Sequence, residues 1–95
     1  MTAPIETVRL RITGQVQGVG YRLWMTRTAA SLGLRGWVRN RTDGSVEALV
    51  TGTPEAIAAM IEADRKGPTG ARVTDVTVTP DEDDGIVGFA TRPTE

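Results

Sequence analysis

Thr7-Val8-Arg9-Leu10-Arg11-Ile12-Thr13-Gly14-Gln15-Val16-Gln17-Gly18-Val19-Gly20-Tyr21-Arg22 changes its period partway along, and that change sets the fold. Over residues 7–13 apolar Val8, Leu10 and Ile12 share one face and Arg9 and Arg11 the other, the alternation of a half-buried strand. A glycine-punctuated turn over residues 14–20 follows. Beyond it Tyr21, Met25, Ala29 and Leu32 recur at helical spacing, and Gly33 stands where a helix C-terminal glycine belongs. The stretch reads as a strand, a tight loop and a helix that ends near Leu32.

Working outward, Gly36-Trp37-Val38-Arg39-Asn40 and residues 45–51 flank Arg41-Thr42-Asp43-Gly44. An Asp-Gly pair between two strand-like runs predicts an antiparallel hairpin with a type I′ turn, Asp43 and Gly44 tolerating positive φ. Thr53-Pro54 supplies an N-cap and a first-turn proline for a second helix that ends before Gly67-Pro68. Ile57, Met60, Ile61 and Asp64 fall on one face of that helix, apolar for most of its length. Val73, Val76 and Val78 mark a fourth strand, and residues 86–91 add a short closing strand. The order β-α-β-β-α-β predicts a ferredoxin-like α+β sandwich, an antiparallel sheet of four to five strands with two helices on one face. With no internal repeat or linker, residues 1–95 are expected to form one domain, its core at about 7–92.

The chain has 95 residues and neither Cys nor His, so disulfides, thiolate nucleophiles, imidazole bases and Cys/His zinc sites are excluded. The amino terminus, residues 1–7, carries an acid and a proline where a secretory signal needs a basic start and an apolar run, and no segment has the length of apolar residues that spans a bilayer. A cytoplasmic protein with no membrane partner is expected. Residues 1–47 hold seven arginines against three acids, while residues 48–95 hold four bases against nine acids. This asymmetry argues against a general nucleic-acid binder and leaves room for a local arginine-rich surface that attracts a small anion.

A helix start presents unpaired backbone N–H groups and a partial positive charge, so a glycine-rich turn feeding it is a natural anion cradle. Gln17, Gly18, Val19, Gly20, Tyr21 and Arg22 have that form, and Arg22 in the first helical turn offers a planar fork for two phosphate oxygens. No Gly-Lys-Ser/Thr follows and Gly18-x-Gly20 lacks a third small residue, which weakens ATP and NAD readings. Spacing alone is equally served by glycines that only make a tight turn and by an exposed helix arginine. Asn40, at the end of a strand, can offer its amide to a ligand above the sheet or merely cap the turn. Trp24 and Trp37 read as packing residues. The run Asp81-Glu82-Asp83-Asp84 reads as a solvated loop, because adjacent acids cannot all face one ion and no EF-hand spacing is present.

Together these motifs resemble the acylphosphatase family: residues 14–22, Gly36-Trp37-Val38-Arg39-Asn40, Asp43-Gly44-Ser45-Val46-Glu47, Leu32-Gly33-Leu34-Arg35 and residues 67–73 fit it in order and spacing. Tyr21 stands where the family more usually has Phe. The resemblance implies hydrolysis of the carboxyl-phosphate bond of a small-molecule acyl phosphate, with no metal and no cofactor. It assigns phosphate binding to residues 17–22, with Arg22 as the binding arginine, and orientation of the attacking water to Asn40. A free-standing monomer is expected, the chain having no trailing zinc-finger cysteines, although similar domains occur joined to larger hydrogenase-maturation proteins. The alternative is a non-catalytic ferredoxin-like module binding RNA or another anion, for which strand one offers Arg9 and Arg11 but no aromatic residue.

Overall fold

The structure, a computed structural model, describes residues 4–95; the first three residues of the expected leaderless amino terminus lie outside them. β1 (Glu6–Gln15) pairs on both edges, antiparallel to β3 (Val46–Gly52) and to β4 (Arg72–Pro80). Leu10 thereby lies opposite Ala48 and Val78, and Ile12 opposite Val46 and Val76, so the alternation of β1 continues across three strands as one apolar face. β2 (Arg35–Asn40) completes the hairpin with β3, and the sheet order is β4-β1-β3-β2-β5.

α1 (Tyr21–Ser31) and α2 (Pro54–Lys66) cover the apolar face. Tyr21, Met25 and Ala29 from α1 and Ile57 and Met60 from α2 are buried against Leu10, Ile12, Val38, Val46, Ala48, Val50 and Val76. α2 begins as the sequence predicts: the Thr53 hydroxyl accepts the Ala56 N–H at 3.2 Å and Pro54 occupies the first turn. Gly14, expected in the turn, instead belongs to β1, at a register shift against β4.

Two expectations are corrected. The sheet is mixed, because β5 (Phe89–Thr91) joins the outer edge of β2 in parallel. The connection from β4 crosses the sheet on the face opposite the helices and reverses on the way, so β5 arrives running with β2. The hairpin turn is not type I′: among the described residues no residue but glycine has positive φ, and only Gly44 (φ 94°) does so here. The Arg41 N–H donates to the Ser45 carbonyl at 2.8 Å and the Gly44 N–H to the Arg41 carbonyl at 3.1 Å, giving a three-residue loop with glycine in its left-handed position. Asp43 closes this loop from the inside, accepting from the Ser45 N–H at 2.9 Å and hydroxyl at 2.6 Å.

The acidic run lies in a solvent-exposed loop, as the sequence predicts, and three of its acids also find partners there. Asp81 accepts from Arg9, Asp83 from Arg35, and Asp84 from the Trp37 indole N–H at 3.1 Å. Three ion pairs join the basic first half to the acidic second half, Arg9 to Asp81, Arg35 to Asp83 and Arg39 to Glu95, while the others lie within one half. Trp37 lies on this open face rather than in the main core, with the Arg39 and Arg92 guanidiniums each 4.8 Å from its ring.

Candidate active site

Gly18 and Gly20 both have φ 75°, a conformation that side chains strain to adopt, and a Cβ on either would meet only open space. The loop therefore needs glycine for its backbone path and leaves the space above it clear. Gly20 is the N-cap of α1 and offers no side chain; no acid stands in the first turn. This helix start is uncapped where that of α2 is capped, so its first N–H groups are available to an anion.

A cavity of about 320 Å³ opens over this helix start, lined by Val16, Gly18, Gly20, Tyr21, Arg22, Leu23, Asn40 and Thr91. It brings Arg22 and Asn40 together from α1 and β2, as the sequence expected. Among the described residues Arg22, like Arg27, Arg65 and Arg72, has no carboxylate within ion-pair distance, and of these four Arg22 alone lines the cavity. The Asn40 side chain likewise has no protein partner among the described residues, and turn capping falls to Asp43 instead. The Asn40 backbone is held from the far side, its carbonyl accepting the Glu95 N–H at 3.1 Å while the Thr42 N–H donates to the Glu95 carbonyl at 3.3 Å.

Gln17 and Val19, expected in the phosphate loop, do not line the cavity. Val19 packs against the core, and the Gln17 amide reaches the β2–β3 hairpin. Tyr21 is 2% exposed, and its hydroxyl points into the core, 2.8 Å from Asp64 Oδ1 and 3.1 Å from the Asp64 carbonyl oxygen. Burial pushes the Asp64 carboxyl up to about 7, the Tyr21 hydrogen bond working against it. Burial and the neighbouring Asp64 push the Tyr21 phenol upward as well. Val16, Leu23 and Thr91 were not singled out by sequence. Leu23 follows Arg22 on the outer side of α1 and is 56% exposed at the rim, whereas Thr91 reaches the cavity through a parallel pairing that no local pattern signals.

A glycine loop at an uncapped helix start, an arginine without a carboxylate partner and an amide without a protein partner thus face one cavity of a small α+β protein. The acylphosphatase family model matches residues 8–91. An acylphosphatase of Rhodospirillum rubrum is 52% identical over 89 residues, covering 94% of this chain and 98% of its own length. The crystal structure of acylphosphatase from Bacillus subtilis superposes with a TM-score of 0.88 at 36% identity, over 94% of this chain and 99% of that one. Full-length HypF, in a phosphate- and nucleotide-bound form, carries a similar unit (TM-score 0.90, 25% identity) that covers 99% of this chain and 13% of that one. The chain belongs to the acylphosphatase family.

Proposed function

We propose that the acyl phosphate hydrolysis of this acylphosphatase family member takes place in the cavity over the α1 start, with Arg22 gripping the phosphoryl group and Asn40 orienting the water, and without a metal. The observation that carries this reading is that Arg22 and Asn40 meet there from separate elements while neither spends its polar side-chain atoms on the described protein. An acyl phosphate leaves as a carboxylate of low basicity, so little proton donation to the departing oxygen is needed, and a chain without His suffices. Catalysis then rests on positioning and charge stabilisation. The loop N–H groups and the Arg22 fork hold the phosphoryl oxygens; the Asn40 amide places water in line with the P–O bond to the acyl group. As the new P–O bond forms the old one breaks, releasing carboxylate. Among the described residues no carboxylate lines the cavity, which supports a phosphoryl oxygen of the substrate as acceptor of the water proton.

The open sheet face speaks against the RNA-binding alternative. Its tryptophan is 4% exposed beneath Arg39 and Arg92, leaving no aromatic platform for a base, and its arginines face carboxylates. Among the described residues no helix is long and apolar enough to cross a membrane and no cluster of metal-ligating side chains occurs. The family match over residues 8–91 supports one domain acting on a small molecule, and we take it to be a cytoplasmic monomer. The test is hydrolysis of benzoyl phosphate, followed by ultraviolet absorbance with EDTA present, for wild type, Arg22→Ala and Asn40→Ala. EDTA-resistant turnover that collapses in both variants, with circular dichroism unchanged, is the expected result. A folded wild type without turnover, or turnover lost to EDTA, overturns the reading.

A further inference from the structure

The two halves of the site, the Arg22 loop and the Asn40 strand, are far apart in the chain and are tied directly by one side chain. Gln17 Nε2 donates to the Arg41 carbonyl at 2.8 Å and to the Ser45 carbonyl at 2.8 Å. An amide nitrogen carries two protons, and both are used. The acceptors are the residues that close the hairpin: the Ser45 carbonyl also takes the Arg41 N–H, and the Arg41 carbonyl also takes the Gly44 N–H. Each carbonyl thus receives two donors, one for each lone pair. Gln17 stands between Val16 and Gly18, which both line the cavity, and Arg41 immediately follows Asn40, so the bridge sits directly beside the cavity at both of its ends.

We propose that Gln17 is a positioning residue of this reaction, its amide fixing the separation between the phosphate loop and Asn40. This rests on the reading of Arg22 and Asn40 given above. The phosphoryl group is held by the loop, whereas the water is held by the hairpin strand. In-line attack therefore depends on the offset between the loop beyond the end of β1 and the end of β2, which the sheet joins only through β3 between them and the chain only through α1 and β2. The partly buried Gln17 amide is a short, rigid link across that gap. Losing it leaves the loop and Arg22 intact for binding phosphate and loosens the register of the water. The consequence falls on kcat and spares anion affinity, since misplacements of about 1 Å can lower a rate by about 100-fold.

The experiment measures kcat for benzoyl phosphate, and inhibition by inorganic phosphate, in wild type, Gln17→Met and Gln17→Glu. Gln17→Met keeps length without donors and is expected to lower kcat by about tenfold or more while the phosphate inhibition constant stays within about threefold. Gln17→Glu presents lone pairs to two carbonyl oxygens at neutral pH and so behaves like the Met variant there. Facing those oxygens favours its protonated form, which regains one donor as pH falls towards 5, so its kcat relative to Gln17→Met rises on acidification. A side chain that served folding alone would show no such recovery. Wild-type kcat in Gln17→Met, or equal losses of kcat and phosphate affinity with no acid recovery in Gln17→Glu, overturns the proposal. If Gln17→Met does not fold, the pH series of Gln17→Glu taken relative to wild type decides in its place. Absence of turnover in wild type overturns the active-site reading instead, so the two failures are distinguishable.

Discussion

Replacing Asp64 with Asn should stabilise the protein, and by an amount that grows with pH. Asp64 has no exposed surface, its Oδ2 has no hydrogen-bond partner, and the Tyr21 hydroxyl lies within bonding distance of both Oδ1 and the Asp64 carbonyl oxygen. One phenolic proton cannot serve two acceptors. With the carboxyl protonated both contacts are satisfied, the carboxyl donating to the phenol oxygen and the phenol to the carbonyl. Burial accordingly raises Asp64 from 3.8 to about 7. The folded state then holds a proton that the unfolded chain releases above about pH 4, so stability falls as pH rises and the loss is complete above about 7. At 1.36 kcal/mol per pH unit the loss is about 2 kcal/mol at pH 5 and about 4 kcal/mol at pH 8. Asn carries the same donor and acceptor at every pH and escapes it. Urea unfolding followed by circular dichroism at the two pH values should therefore show Asp64→Asn ahead of wild type at pH 8, the gap narrowing by about 2 to 3 kcal/mol at pH 5. Carboxylates held low by arginines, such as Asp81 and Asp83, contribute the opposite trend, but equally in both proteins, and cancel in the difference. A gap that does not change with pH, or a variant weaker than wild type at pH 8, would refute the protonated Asp64–Tyr21 pair.

The site gives further expectations. Arg22→Ala should lower kcat/KM by about 100-fold to 1,000-fold and abolish inhibition by inorganic phosphate; Arg22→Lys should recover only part, because an ammonium cannot grip two oxygens at once. Asn40→Ala should lower kcat far more than it raises KM and leave phosphate inhibition intact; steady-state kinetics that show only weakened binding would remove its water-orienting role. In the Asp64→Asn background kcat should stay flat from about pH 5 to 8, since among the described residues no carboxylate lines the cavity, and a carboxylate-like limb would point to a protein base. Thr53→Ala should cost about 1 kcal/mol in urea unfolding, the loss of the α2 cap, without touching activity.

Most of the fold was legible because its signals are local. The alternation of β1, the Thr53-Pro54 start of α2 and the glycine turn into α1 each lie within a few residues, and Arg22 and Asn40 came from motifs of the same kind. What escaped depends on distant partners. The run at residues 81–84 is the exposed loop it reads as, but its pairing with Arg9, Arg35 and Trp37 is not written locally, and neither is the direction of β5. Gln17 was legible as a loop residue but not as a bridge, because its acceptors are backbone carbonyls that any sequence would supply. Asp64 and Tyr21 left a fainter trace: an acid on an otherwise apolar helix face, and a hydroxyl where the family more usually has Phe. Two misfits in one core are a sign that they meet.

The central claim is that water attacks phosphorus while the α1 loop holds the phosphoryl group. Turnover of benzoyl phosphate in ¹⁸O-labelled water, with mass analysis of both products, tests it most directly. The account predicts the label in inorganic phosphate and none in benzoate; label in benzoate would place the attack on the acyl carbon and contradict the roles given to Arg22 and Asn40.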